Sequence, residues 1–262
     1  MMANHTEKMI NILSDLIKFH KISGIKTEFE TEGASFDEAL SLKHLADAFK
    51  LDFSIKIGGC GAIKDLYDAK KLDAKIIVAP MIESPYAAIK FLKSVDCVYK
   101  DKDIKTFVNI ETKNGIQYLD EILNPKISSK ITGIVAGRGD MACSLGYDCS
   151  MVNSDEIFNM VDLISKKCRR NDKKLIIGGG ITISSIPFLK KLEDFNCFET
   201  RKIIFDKKAL DCDIEKGITK AIEFEILWLK NKKELQQTDI KRLETLKTRL
   251  LKSNIIKNEV RV

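Results

Sequence analysis

The chain has 262 residues, 44% of them hydrophobic, with 44 basic and 38 acidic side chains and a net charge of +6. That length suits one large α/β domain or two small ones, and the absence of any apolar run of about 18 residues or more excludes a membrane-spanning helix. Only seven of the basic residues are Arg and aromatics make up 7%. The lysines are spread over helix faces without interleaved aromatics, which argues against a nucleic-acid partner.

The N-terminal residues carry no apolar stretch of the signal-peptide kind, so a cytoplasmic protein is expected. The cysteines, at 60, 97, 143, 149, 168, 197 and 212, are odd in number and form no C-x-x-C pair. Zinc spacing is absent and a disulfide framework is not expected. Cys60 and Cys143 lie close to strand ends and read as buried thiols, with a nucleophile as the minor option.

Residues 6–20 have helical apolar spacing, and a short strand over 25–29 leads into Glu30-Thr31-Glu32-Gly33. Ser35 caps a helix over 36–49, with Glu38 completing a capping box. Strand 53–57 ends at Gly58-Gly59, and a helix follows over 62–71. Strand 75–79 ends at Pro80–Ser84, and Ser84-Pro85 opens the next helix as N-cap and first helical residue. Strand 105–110 closes on Glu111-Thr112 and precedes a helix over 115–123.

The fifth strand, 131–136, stops at Gly137-Arg138-Gly139-Asp140. Ser154 caps a helix over 155–170, strand 174–177 ends at Gly178-Gly179-Gly180, and a seventh strand covers 200–205, closed by Asp206. A helical tail occupies 213–258. Its apolar positions, among them Leu235, Ile240, Leu243, Leu246, Leu250 and Leu251, need a partner surface on the barrel or on another subunit.

Strands alternate with helices and are short, apolar and β-branched, as in a parallel sheet covered on both faces. The even, short units favour a closed (β/α)8 TIM barrel over an open doubly wound sheet. Seven strands are legible, which leaves the first barrel position without one of its own. The organisation expected is a barrel domain over 1–212 and a C-terminal helical extension over 213–262.

A barrel active site lies at the C-terminal ends of the strands. Those ends hold Glu30, Glu32, Lys56, Glu83, Glu111, Arg138, Asp140, Gly178 to Gly180 and Asp206. Converging carboxylates repel unless a cation neutralises them, and hard oxygen ligands favour Mg²⁺ or Mn²⁺. Glu111 and Asp140, on adjacent strands at equivalent depth, are the leading metal pair. Either Lys56 or Arg138 would pair a substrate carboxylate or phosphate, or else neutralise the acids around it. A Schiff base at Lys56 is disfavoured, because acidic surroundings keep an ammonium charged. The glycine triplet would cradle a phosphate or simply turn the chain. The histidines, at 5, 20 and 44, fall outside the strand ends. A general base must therefore be a carboxylate such as Glu30 or Glu32, a lysine, a metal-bound water, or a group from another subunit.

Three motifs carry a family resemblance: Pro80-Met81-Ile82-Glu83-Ser84 followed by Ala87-Ala88, Asn109-Ile110-Glu111-Thr112 with Leu119-Asp120-Glu121-Ile122, and the stretch 133–146. In order and spacing they resemble the HpcH/HpaI aldolase and citrate lyase β-subunit family of the phosphoenolpyruvate/pyruvate barrel superfamily. The resemblance runs over 25–210 and is strongest from 76 to 146. It implies a (β/α)8 barrel, a divalent metal, and reversible carbon–carbon bond chemistry through a pyruvate or acyl enolate. Glu111 and Asp140 match the family's metal-binding Glu and Asp, and Gly137 and Gly139 match the turn that shapes its pyruvate site. The family's C-terminal helices pack on a neighbouring subunit, which implies a homo-oligomer. Lys56 stands where the family presents an Arg, a point charge in place of a bidentate fork. The segment 30–33 lacks the Glu-His pair of the aldolase branch.

The expected function is a divalent-metal-dependent carbon–carbon lyase acting on a small oxo-acid or acyl thioester. A hydrolase or transferase on the same enolate-stabilising barrel is the alternative, as is a non-catalytic metabolite-binding barrel.

Overall fold

The computed structural model describes residues 2–100, 103–148 and 150–259, with side chains between 5 and 251. Eight strands close into one barrel in chain order: β1 (Ile22–Glu28), β2 (Asp52–Lys56), β3 (Ile76–Ala79), β4 (Lys105–Ile110), β5 (Gly133–Gly137), β6 (Lys174–Gly178), β7 (Cys197–Glu199) and β8 (Ile203–Asp206). Neighbours from β1 to β7 pair in parallel.

The barrel is as expected, but its strand count corrects the sequence reading. No strand is missing at the first position, because the segment after the first helix is itself β1. The extra strand comes from the far end. What read as one strand over 200–205 is the end of a hairpin, with β8 antiparallel to both β7 and β1. Thr200 makes the turn: its N–H donates to the Ile203 carbonyl at 2.9 Å, and its hydroxyl accepts from the Ile203 N–H at 3.2 Å. A side chain that can mimic a backbone turn in this way ends a strand wherever it falls.

That reversal changes where the chain leaves the barrel. A parallel last strand would exit at the mouth, whereas β8 exits at the opposite rim. Asp206 therefore lies at the bottom. There its carboxylate accepts from the Lys208 N–H at 2.8 Å and caps a short 3-10 helix. The helix Ile214–Asn231 starts from that rim and returns alongside the N-terminal helix Met2–His20, so that Ile222 and Glu225 reach the mouth. After it, the helix Gln237–Glu259 lies over the opening.

Two apolar regions follow from the period-2 alternation of the strands. Outward-facing residues such as Ile25, Ile55, Ile77, Val108, Ile134 and Ile177 pack against the surrounding helices in the main core. Leu243 and Leu246 of the last helix belong to it as well. Inward-facing Ile76, Val78, Phe107, Val135 and Ile176 form a smaller plug inside the barrel. Above that plug the interior turns polar. The expected caps hold: Ser35 and Glu38 form a capping box, and the Ser84 and Ser154 hydroxyls accept N3 amides. Among the described residues no helix is long and apolar enough to cross a membrane.

Candidate active site

The polar end of the barrel opens into a cavity of about 290 Å³, lined by residues from β1, β2, β4, β5, β6, the β7–β8 turn and the two C-terminal helices. Its floor is a ladder of alternating charge. Lys26 Nζ donates to Glu199 and lies 3.2 Å from Glu28. Lys56 Nζ lies 2.7 Å from Glu30 and 3.9 Å from Glu111. Lys26, Glu28, Lys56 and Glu111 are all buried.

Burial alone would neutralise these groups, and their neighbours decide which stay charged. Desolvation depresses the Lys26 ammonium, but Glu199 and Glu28 outweigh it and its pKa rises. Desolvation also works against the Glu28 carboxylate, but Lys26, with Arg201 and Lys56 beyond it, holds its pKa down at about 2. For Lys56, burial is outweighed by Glu111, Glu28 and the hydrogen bond to Glu30, so it stays an ammonium. The acidic surroundings inferred from sequence are present, and a neutral Lys56 amine is correspondingly disfavoured.

Glu111 goes the other way. Burial raises its pKa and the Asp140 charge adds to the rise. Lys56, the Met81 N–H at 2.8 Å and the Asn109 side-chain amide at 2.8 Å only partly oppose that. Glu111 reaches this position because residue 137 is Gly. A Cβ there would stand 2.5 Å from Glu111 Oε2 and 2.7 Å from its Cβ. Gly139 and Asp140 also line the cavity, on the first turn of the helix Arg138–Ser144.

The donor set suits a divalent cation. Two carboxylates line one cavity, and burial together with the neighbouring Asp140 charge makes one of them, Glu111, harder to ionise. Mg²⁺ or Mn²⁺ is commonly held by one or two carboxylates, with water and substrate completing the shell. Among the described residues no third Asp, Glu, His or Cys joins the pair as a ligand cluster.

Several expected site residues lie elsewhere. Arg138 is fully buried and points away from the cavity. Its Nε donates to the Gly178 carbonyl, its Nη atoms to Val152, Asn153, Gly179 and Ser185, and Phe188 stacks on it at 4.6 Å. All five guanidinium N–H groups are spent, so none is left for a substrate. Those bonds also engage the carbonyls of Gly178 and Gly179, and a Cβ on Gly179 (φ +75) would meet the Gly139 amide nitrogen at 2.5 Å. The triplet is thus a close-packed turn. Glu32 bonds Lys202 and lies 3.9 Å from Arg201, outside the lining. Glu30 and Glu83 are not in the lining either, although Glu30 is paired with Lys56, which is. Cys143 lines the cavity but is disulfide-bonded, which corrects the expectation of a free thiol.

Lys26, Glu28, Asn109, Glu199, Arg201, Glu225, Arg242 and Arg249 line the cavity and were not anticipated as site residues. For the first two a signal existed: Lys26 and Glu28 alternate with Ile25, Thr27 and Phe29, and two charges on one face of a buried strand must meet partners.

With this geometry in view, residues 59–176 match the model of the HpcH/HpaI aldolase/citrate lyase family. The resemblance carried by the motifs is borne out. The HpcH/HpaI segment contains Glu111, Gly137, Gly139 and Asp140, while Lys26, Lys56, Glu199 and the C-terminal arginines lie outside it. Solved structures share the barrel at low identity. An HpcH/HpaI aldolase/citrate lyase family protein from Burkholderia cenocepacia J2315 is 12% identical with a TM-score of 0.54, covering 65% of this chain and 76% of that one. An HpcH/HpaI aldolase from Desulfitobacterium hafniense DCB-2 is 12% identical with a TM-score of 0.55, covering 76% and 83%. The citrate synthase SbnG is 15% identical with a TM-score of 0.54, covering 68% and 78%. No curated protein matches the chain by sequence.

Proposed function

We propose that this chain is a divalent-metal-dependent carbon–carbon lyase of aldolase type, acting through the enolate of a small oxo-acid or acyl thioester. The observation that carries this reading is the meeting of Glu111, Asp140 and Lys56 in one cavity, with the ammonium 3.9 Å from Glu111. Glu111 and Asp140 would hold Mg²⁺ or Mn²⁺, whose Lewis acidity polarises an oxo group and favours the enolate. Lys56, kept charged by its acidic neighbours, would hold the substrate carboxylate. Glu30, paired with Lys56 at 2.7 Å and partly open to solvent, would take up the proton from the edge of the cavity. Glu32 is less suited, since Lys202 and Arg201 hold it aside.

Self-association through the C-terminal helices belongs to the same proposal, because Ile240 and Leu251 expose apolar side chains there. A monomeric mass by light scattering would remove that part.

The deciding experiment is exchange of the pyruvate methyl protons in D₂O, followed by NMR with and without Mg²⁺ or Mn²⁺. Metal-dependent exchange is expected in the wild type, with a loss of about 100-fold or more in Glu111→Gln or Asp140→Asn. Exchange that ignores both the metal and these substitutions overturns the reading. Trapping of pyruvate on Lys56 by borohydride would replace it with Schiff-base chemistry.

A further inference from the structure

Asp140 shares its stretch of the cavity wall with a sulfur. Cys143 lines the same space and lies three residues after Asp140 on the helix Arg138–Ser144, so the two side chains stand on one helical face. Cys143 is exposed and disulfide-bonded. Cys60, Cys97, Cys168, Cys197 and Cys212 are free thiols, and the seventh cysteine, Cys149, lies outside the described residues. A disulfide framework that holds a fold together pairs its cysteines throughout. A single bond among free thiols, open to solvent, belongs instead to the reducible kind.

The position of this bond gives its redox state a consequence. A helix of seven residues is not stable by itself in water and depends on its ties. At its start Arg138 is fixed by hydrogen bonds to Gly178, Val152, Asn153 and Gly179. In its last turn the Ser144 hydroxyl accepts the Lys113 N–H at 3.1 Å, and the Cys143 disulfide adds a covalent tie. Asp140 lies between these two anchored ends. Opening the covalent tie therefore loosens the support of a carboxylate in the cavity wall.

We propose that the Cys143 disulfide is a reversible switch: oxidised, it holds the Asp140 wall in place, and reduced, it loosens that wall and weakens divalent-cation binding. Reduction consumes two molecules of a small thiol such as glutathione. Two electrons and two protons pass to the S–S bond, which breaks into two cysteine thiols, while the glutathione leaves as its disulfide. The metal half of the proposal rests on the reading of Glu111 and Asp140 given above. Because cation binding and oxidation are then linked, a bound cation opposes reduction by the same factor by which oxidation favours the cation.

The test starts from protein equilibrated with glutathione disulfide or with dithiothreitol, its thiols titrated in denaturant. Five are expected in the oxidised protein and seven in the reduced one. Seven in the oxidised protein overturns the proposal, as does a bond that millimolar glutathione fails to open in the folded chain. Mn²⁺ titration, followed by the electron paramagnetic resonance of the free ion, should show binding tighter by about fivefold or more in the oxidised form. Mn²⁺ should protect the bond against glutathione by the same factor. Cys143→Ser should bind Mn²⁺ like the reduced form under either condition. Cys97→Ser, which removes an exposed free thiol, should keep the full response. Equal Mn²⁺ affinity in the two forms overturns the proposal. If Mn²⁺ binds neither form, the metal half falls with the reading of Glu111 and Asp140. The switch is then judged by amide hydrogen exchange over 138–144, which should be faster by about fivefold or more after reduction. Equal exchange discards it.

Discussion

Gly137 and Arg138 are adjacent, yet they do opposite work. Gly137 contributes an absence, the space in which Glu111 lies against the strand. Gly137→Ala forces a Cβ to 2.5 Å from the carboxylate, so Glu111 must move. The expected result is near-complete loss of metal-dependent proton exchange at a cost of about 1–3 kcal/mol in stability, read by NMR and urea unfolding. Arg138 contributes bonds. Removing its side chain leaves the Val152, Gly178 and Gly179 carbonyls without their donor. Arg138→Ala is accordingly expected to cost at least about 3 kcal/mol in urea unfolding. A sequence shows that a base stands beside Asp140, but not which way the first turn of the helix aims it. Glu28 gives a pH prediction. Its folded pKa of about 2 lies below the ordinary 4.5, so the stability it adds is present above pH 4.5 and is lost as pH falls toward 2. Thermal unfolding of Glu28→Gln should therefore show a shallower acid limb than the wild type, and parallel limbs would refute the assignment.

At the scale of elements, most of the architecture was legible. Apolar runs closed by Gly, Pro or an acidic residue marked six of the strands, and Ser35, Ser84 and Ser154 announced helix starts that the structure keeps. The last hairpin was not legible, because Thr200-Arg201-Lys202 interrupts two very short strands and reads as the polar start of one longer strand. With that turn missed, Glu199 and Arg201 fell outside every strand end and Asp206 was placed at the wrong rim. The helix over the opening was hidden for another reason: a helical face announces that it needs a partner but not which one. Leu246 now supplies that information. Leu246→Ala should destabilise the protein by about 2–5 kcal/mol in denaturant.

On the scale of the whole molecule, the cavity joins separate stretches of the chain. The matched HpcH/HpaI segment supplies Glu111 and Asp140, the groups proposed to hold the metal. The first two strands supply Lys26, Glu28 and Lys56, and the last quarter of the chain supplies Glu199 and the arginines. The antiparallel β8 makes this possible. By sending the chain out at the bottom, it gives the helix Ile214–Asn231 the length of the barrel in which to climb back, and it leaves the final helix over the opening. That path amounts to a division of labour along the polypeptide. The groups proposed to do the chemistry are complete by β7, while Arg242 and Arg249, which also line the cavity, sit on one terminal helix joined to the rest by the short link 232–236. Such a helix is an exchangeable cassette: the face it turns to the cavity can be rewritten while every strand stays as it is.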